Sequence, residues 1–195
     1  MKKGSTLVII LICIAVLAIG VVKIYNNLVK LEENVKTSWS QVENNYQRRS
    51  DLIPNLVATV KGYAGHEEST LTAVIEARSK ASQITVTGDD LSDEAIANFQ
   101  KNQNELGAAL GRLLAVSEAY PELKANENFL DLQVQLEGTE NRISESRRAY
   151  NETAQTYNTK IRVFPDNIIA GLFGFQSKGY FKAEEGASSA PEVQF

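Results

Sequence analysis

The sequence predicts an all-α protein in which an N-terminal transmembrane helix continues into an antiparallel up-and-down bundle of about four long helices. Two patterns carry this prediction. Residues 7–22 form an apolar run without a charged residue, and apolar residues recur every seven positions through most of the chain that follows. Such heptad spacing is typical of long helices that pack at a shallow angle, as in a coiled coil.

The apolar run has the length of a membrane anchor. Its sixteen residues span about 24 Å as a helix, and the uncharged residues beside it bring the segment to the roughly 20 that a bilayer core requires. Lys2 and Lys3 precede it, as in a cleaved secretory signal, and residues 18–20 offer a weak cleavage site. Because the helical pattern continues without a turn, the sequence favours an uncleaved anchor over residues 1–24. Lysines on both sides leave its orientation open.

A stripe of apolar positions continues from the anchor into the first bundle helix. Pro54 lies off this stripe, which predicts a bend near residue 54 and no reversal of the chain. The two glycines of Gly62–His66 instead favour a turn, although a continuous helix with a shifted stripe remains open. The heptad positions are Leu28, Val35, Val42, Arg49, Leu56 and Tyr63.

Three further helices complete the predicted bundle over residues 25–164. The second covers about residues 67–82 and is followed by a β-branched, turn-forming loop at 84–90. Ser92 is a good N-cap for the third helix, which we expect Pro121 to end, and Asn126 begins a fourth that we expect Pro165 to stop. Short connections between long helices favour the up-and-down arrangement.

The C-terminal part differs in composition from the bundle. Residues 165–182 mix apolar, aromatic and lysine residues and are too few to span a bilayer, so we expect them to lie at the membrane interface or to dock on the bundle. Residues 183–195 are predicted to form an extended or disordered tail. The candidate membrane-interface residues are Ile168, Ile169, Leu172, Phe173 and Phe175.

Composition excludes several classes of function. Residues 23–195 hold 18 Lys and Arg (the chain's 20 less Lys2 and Lys3) and all 24 Asp and Glu, a formal charge of −6. An acidic domain argues against nucleic acid as a partner. The only cysteine, Cys13, lies in the apolar run, and His66 is the only histidine. We therefore predict no catalytic residue, no metal site, no cofactor and no enzymatic activity.

Two other features suggest interactions. Arg49 occupies a seam position, where it either pairs with an acidic residue of another helix and fixes the register or forms part of a polar anion site. The second reading gives the alternative function, a ligand-sensing or adaptor protein. Tyr25, Leu28 and Leu31 lie where the helix leaves the bilayer, and we predict that they form a self-association surface between copies.

Several strings in the sequence closely resemble those of the bacterial LemA family. The resemblance rests on Tyr25–Val35, Trp39–Asn44, Gln47–Val57 (Gln-Arg-Arg-Ser-Asp-Leu-Ile-Pro-Asn-Leu-Val) and Gly62–Glu67, and further matching strings continue to Ala170. It implies a single-pass protein of the bacterial inner (cytoplasmic) membrane, with a short outer N-terminus, a helical bundle inside and no established enzymatic activity. It supplies no catalytic residues, and it suggests roles in organising and remodelling membranes.

These observations together predict a membrane-anchored helical scaffold. We expect it to self-associate as a homo-oligomer and to organise or remodel the membrane or membrane proteins. Its predicted partners are the lipid bilayer, further copies of itself and other membrane proteins.

Overall fold

The computed structural model describes residues 2–84 and 86–183, with side chains from residue 7 onward. All regular structure within these ranges is helical, so the prediction of an all-α protein with a long apolar first helix followed by a bundle is confirmed. The helices are α1 (Lys2–Tyr63), α2 (Glu68–Gln83), α3 (Asp93–Val116), α4 (Pro121–Lys124), α5 (Glu127–Lys160) and α6 (Asp166–Phe173).

Helix α1 joins the apolar run to the bundle as one element of 62 residues. It continues through Pro54, which is exposed, and the chain turns only after Tyr63. Among the described residues, α1 is the one helix that is long and apolar enough to cross a membrane, and its apolar window is not buried by the rest of the protein. The protein therefore carries a candidate membrane anchor that is continuous with its bundle.

The bundle core forms along the predicted stripe. Helix α1 packs along α5, and α2 packs along α3. Hydrogen bonds join Ser38 to Thr153 and Tyr63 to Asn126, so α1 and α5 run antiparallel. One group of buried residues surrounds Trp39 in the half nearer the apolar run, and a second group fills the distal half. Each fully buried Leu, Ile or Phe contributes about 1.5–3 kcal/mol, which lets the stripes stabilise the fold.

Side-chain caps fix the starts of α3 and α5. The Ser92 hydroxyl accepts a hydrogen bond from the Ala95 N–H at 3.3 Å, and the Asn126 side-chain oxygen accepts one from the Phe129 N–H at 3.0 Å. Both residues satisfy N–H groups that have no partner within the first helical turn. The predicted starts of these two helices are confirmed.

The prediction that Pro121 and Pro165 end the third and fourth helices was wrong. Helix α3 ends at Val116, and Pro121 is the first residue of the short helix α4. Helix α5 ends at Lys160, and Pro165 immediately precedes α6. Proline has no N–H to donate and a fixed φ, which suits the first turn of a helix. Pro121 therefore starts a helix and Pro165 caps the next one, and turns have already closed the preceding helices.

Residues 175–183, which we call the strap, return from α6 along the bundle without regular secondary structure. They contact α1, α3 and α5, and the ring of Phe181 enters the core beside Trp39. Residues 184–195, the greater part of the predicted tail, lie outside the described residues.

Candidate functional site

The end of the bundle that adjoins the apolar run is built around Tyr25. This residue follows Val22, the last residue of the run, by three positions, which corresponds to about 4.5 Å along the helix axis. The rings of Phe173 and Phe175 lie 4.9 Å and 5.7 Å from the ring of Tyr25, measured between centroids. Helix α6 therefore lies beside α1 within one turn of the apolar run. We call this end the base of the bundle.

Local interactions hold α6 in place. The buried carboxylate of Asp166 forms an ion pair with the Lys160 ammonium group at 3.1 Å, which ties the start of α6 to the end of α5. Ile169 and Ala170 are buried against the bundle. Gly174 ends the helix with a φ of +77°, a conformation that glycine adopts without strain. The chain can therefore leave α6 sharply and start the strap.

The opposite face of α6 is open. Ile168, Leu172 and Phe173 are 58%, 75% and 53% exposed, and Phe164 just before the helix is 79% exposed. Ile168 and Leu172 stand four residues apart and so share one face of the helix. Of the five predicted membrane-interface residues, these three are open, while Ile169 is buried and Phe175 is half-buried. The base thus presents large apolar side chains beside the membrane helix.

The predicted self-association surface is wrong at its central residue. Leu28 is fully buried in the core group that also contains Tyr157 and Ile161 from the end of α5 and Ala170 from α6. Leu31 is half-buried, and Tyr25 retains 37% exposure beside the two phenylalanines. The bundle itself covers this part of α1, because α5 and α6 reach down to the same level.

Arg49 lies in the middle of the bundle and joins three helices. One terminal nitrogen donates to the Glu140 carboxylate of α5 at 3.1 Å. The other donates to the side-chain and backbone oxygens of Gln103 on α3, at 2.6 Å and 3.1 Å. The guanidinium group also lies 5.0 Å from the centre of the Tyr46 ring, within the range of a cation–π contact.

The surroundings of Arg49 are electrostatically asymmetric. The Arg49 side chain is 5% exposed, whereas that of Glu140 is 60% exposed, so solvent screens the ion pair. Burial raises the pKa of the Tyr46 hydroxyl, although the neighbouring Arg147 and Arg49 oppose this rise. The geometry is that of a buried arginine paired with an acidic residue of another helix. The sequence indicated an acidic partner but did not reveal Gln103, because nothing in a single sequence pairs positions on α1 and α3.

No catalytic constellation forms at either place. Across residues 2–84 and 86–183, no three His, Cys, Asp or Glu side chains come together as metal ligands. His66 is exposed in the turn after α1. What these regions offer chemically is an apolar surface at the base and a polar link between helices.

Comparison with known proteins identifies the family. The model of the LemA family matches residues 38–195. Two relatives, magnetosome proteins MamQ 1 and MamQ 2 of Paramagnetospirillum magneticum, are each 29% identical over 186 residues, which cover 87% of this chain and 68% of the relative. Protein LemA of Metamycoplasma hominis is 26% identical over 160 residues, which cover 82% of this chain and 69% of the relative. The chain belongs to the LemA family of membrane-associated helical proteins.

Proposed function

We propose that this protein is a scaffold of the inner (cytoplasmic) membrane whose bundle rests on the bilayer through α6 and which self-associates to organise or remodel the membrane or its proteins. The observation that carries the proposal is the open apolar face of α6, one helical turn beyond the membrane-spanning run. An apolar helix face at this height is suited to lipid.

The energetics favour contact between this face and the bilayer. Ile168, Leu172 and Phe173 are each more than half exposed, and full burial of such side chains is worth about 1.5–3 kcal/mol each. Helices that lie in the interface bury their apolar face about 5–10 Å into the boundary between headgroups and acyl chains. Lys23 and Arg162 are exposed near the same end, where their charged ends can reach lipid phosphates.

The continuity of α1 fixes the height of the base. Because no break separates the apolar run from Tyr25, the depth of the run in the bilayer sets the height of α6 above it. A flexible linker would let the bundle diffuse away from the surface. A continuous helix holds α6 at the interface even when each apolar contact is weak.

Depth-dependent quenching of a fluorescent probe tests this contact. In a Cys13→Ser background, Leu172→Cys carries an environment-sensitive probe, and the full chain is reconstituted in vesicles that contain lipids with a nitroxide near the headgroup. We expect quenching at residue 172 to be several-fold stronger than at a matched control, Val134→Cys. Val134 is also an exposed apolar residue, but it lies on the distal part of α5, about 39 Å along the helix from Lys160. Equal quenching at the two positions would refute membrane docking.

Self-association is supported by the candidate membrane anchor, which holds every copy in one surface. Confinement to a membrane also raises the effective concentration of copies. Energy transfer between copies labelled with donor and acceptor at Val134→Cys, measured over a range of protein-to-lipid ratios, tests it. Transfer no greater than that expected for randomly placed monomers would remove self-association from the proposal.

The side of the membrane on which the bundle lies is tested separately. Thr87 is exposed in the loop between α2 and α3. Labelling of Thr87→Cys by a membrane-impermeant thiol reagent in intact cells shows on which side of the membrane this loop lies. We expect labelling only after the cells are opened. Labelling at the cell exterior or in the periplasm of intact cells would place the bundle on the outer side.

A further inference from the structure

The strap is bound to the bundle in the way that a receptor binds a peptide. Three amide side chains each hold both the N–H and the C=O of one strap residue. Asn158 holds Lys178 at 2.7 Å and 2.8 Å, Asn151 holds Phe181 at 2.9 Å and 2.9 Å, and Gln100 holds Lys182 at 2.8 Å and 3.1 Å.

These amide side chains pair backbone groups of the strap that the neighbouring helices cannot pair. A helix has no free backbone donors or acceptors along its length, so a non-helical segment beside it would leave its own backbone groups unpaired. An amide side chain carries a donor and an acceptor and can replace a neighbouring strand. Gly179 is held likewise, since its N–H donates to the Leu91 carbonyl at 2.7 Å and its C=O accepts from the Tyr150 hydroxyl at 3.1 Å.

The side chains of the strap give the binding its sequence specificity. The buried ammonium group of Lys178 lies 2.7 Å from the Glu32 carboxylate. The ring of Phe181 packs between Trp39 and Tyr150, with centroid distances of 5.9 Å and 5.6 Å. Both positions are more than nine-tenths buried.

Gly179 acts as a steric filter between these two side chains. A Cβ atom at this position would lie 2.7 Å from the Asp93 Cα and 2.8 Å from the Ser92 carbonyl oxygen, which are backbone atoms that cannot move aside easily. The groove therefore selects a lysine, then a glycine, then a phenylalanine two residues later.

The spacing of the strap matches the heptad of α1. Phe175 contacts Tyr25, Lys178 contacts Glu32 and Phe181 contacts Trp39. Seven helical residues rise about 10.5 Å, and three residues of extended chain span about 10 Å. Every third strap residue therefore contacts every seventh residue of α1. Only a segment with contact residues three positions apart fits this groove.

We propose that this groove is a peptide-binding site that also accepts the strap of a second copy, so that copies in one membrane are linked by exchange of strap residues 178–183. An exchanged strap makes the same contacts as the chain's own strap, which makes exchange a low-cost route to a dimer. Phe175 stays with α6, because its N–H donates to the Ala170 carbonyl at 2.9 Å, so the chain crosses to a neighbour through the exposed Gln176 and Ser177. The inference rests on the proposed self-association and names its means.

Cross-linking between two distinguishable full-length copies tests the exchange. Both carry Cys13→Ser and different tags; one has Ser144→Cys on α5 and the other Ala183→Cys on the strap. Residues 144 and 183 line the same surface cleft. After co-reconstitution in vesicles, a short bismaleimide should give dimers that carry both tags, with a yield that rises with the protein-to-lipid ratio.

Variants of the strap copy provide the controls. Gly179→Ala in the copy with Ala183→Cys should lower the yield of mixed dimers at least fivefold. Gly138 lies in a helix, and a Cβ atom added there would meet no atom within 4 Å. Gly138→Ala should therefore leave the yield unchanged. An excess of a synthetic peptide of residues 175–183 should also lower the yield, and the same peptide with alanine at position 179 should not. The peptide arm does not depend on the folding of a variant.

The outcomes separate this inference from the proposed function. Mixed dimers that disappear with Gly179→Ala and with the wild-type peptide support exchange. Energy transfer between copies without any mixed cross-link would overturn exchange and leave self-association in place. Mixed dimers that are insensitive to both Gly179→Ala and the peptide would also overturn it, because the contact would then lie elsewhere.

Discussion

Substitution of Arg49 by methionine tests whether this residue stabilises the bundle mainly through its hydrogen bonds to Gln103 or through its ion pair with Glu140. Methionine retains most of the apolar volume of the arginine side chain but none of its donors. In the structure the two terminal nitrogens meet the exposed Glu140 carboxylate and the oxygens of Gln103, whose side chain is buried, whereas the Arg49 Nε has no hydrogen-bond partner. If Gln103 is the main partner, Arg49→Met and Glu140→Gln should differ clearly in their effect.

The magnitudes follow from burial. Arg49→Met leaves the Gln103 side-chain oxygen without its donor at 2.6 Å, and a buried acceptor left unsatisfied costs about 1–3 kcal/mol. Loss of the cation–π contact with Tyr46 adds about 0.5–1 kcal/mol. The ion pair with Glu140 is 60% exposed on the acidic side and is worth less than about 1 kcal/mol. We expect Arg49→Met to lower the free energy of unfolding by about 1.5–4 kcal/mol and Glu140→Gln by under about 1 kcal/mol.

Urea unfolding in mild detergent measures both effects. Trp39 is the only tryptophan and is fully buried in the core, so its emission reports the bundle without an added label. Far-ultraviolet circular dichroism should follow the same transition if unfolding is two-state. Equal losses in the two variants would refute the reasoning, since the exposed ion pair would then carry the interaction. An unchanged midpoint for Arg49→Met would refute it as well.

Two further predictions concern pH and the membrane. Burial raises the pKa of the Tyr150 hydroxyl, so this group ionises in the unfolded chain first and the free energy of unfolding should fall as pH rises above about 10. In thermal melts from pH 7 to 11, Tyr150→Phe should make that fall shallower, and an equal slope in both proteins would contradict the assignment. Insertion of seven helix-forming residues after Lys23 raises the bundle by about 10.5 Å and rotates it by only about 20°. It should abolish headgroup-level quenching at residue 172, and retained quenching would show that α6 does not depend on the height of α1.

The long helices could be predicted from the sequence because each carries its own repeating pattern. The stripe through Val35, Val42 and Leu56 identifies a buried face without knowledge of what covers it, and these residues are fully buried. The caps at Ser92 and Asn126 are local as well, since each bonds to an N–H three residues away. Information of this kind lies within a few turns of chain.

The errors arise where a partner is distant in sequence. Leu28 was assigned to an exposed surface because nothing near it indicates that the end of α5 and α6, more than 100 residues later, return to the same level. Pro121 and Pro165 stand where a proline can end one helix or begin the next, and only the preceding turns decide between the two. The strap was assigned to the interface or to the bundle from its composition alone. Gly179, which stands between Lys178 and Tyr180, was the local sign of a tightly bound segment.

The strap and the membrane contact depend on the same helix. Tyr25, Glu32 and Trp39 are successive heptad positions of α1, and they contact α6 and the strap at three rising levels above the apolar run. Because the Phe175 N–H donates to the Ala170 carbonyl of α6 at 2.9 Å, release of the strap beyond Ser177 leaves α6 in place. A strap bound to a neighbouring copy would therefore still leave α6 beside its own α1. Self-association through the strap and docking on the bilayer are thus compatible in one molecule, and loss of the first should leave the second intact.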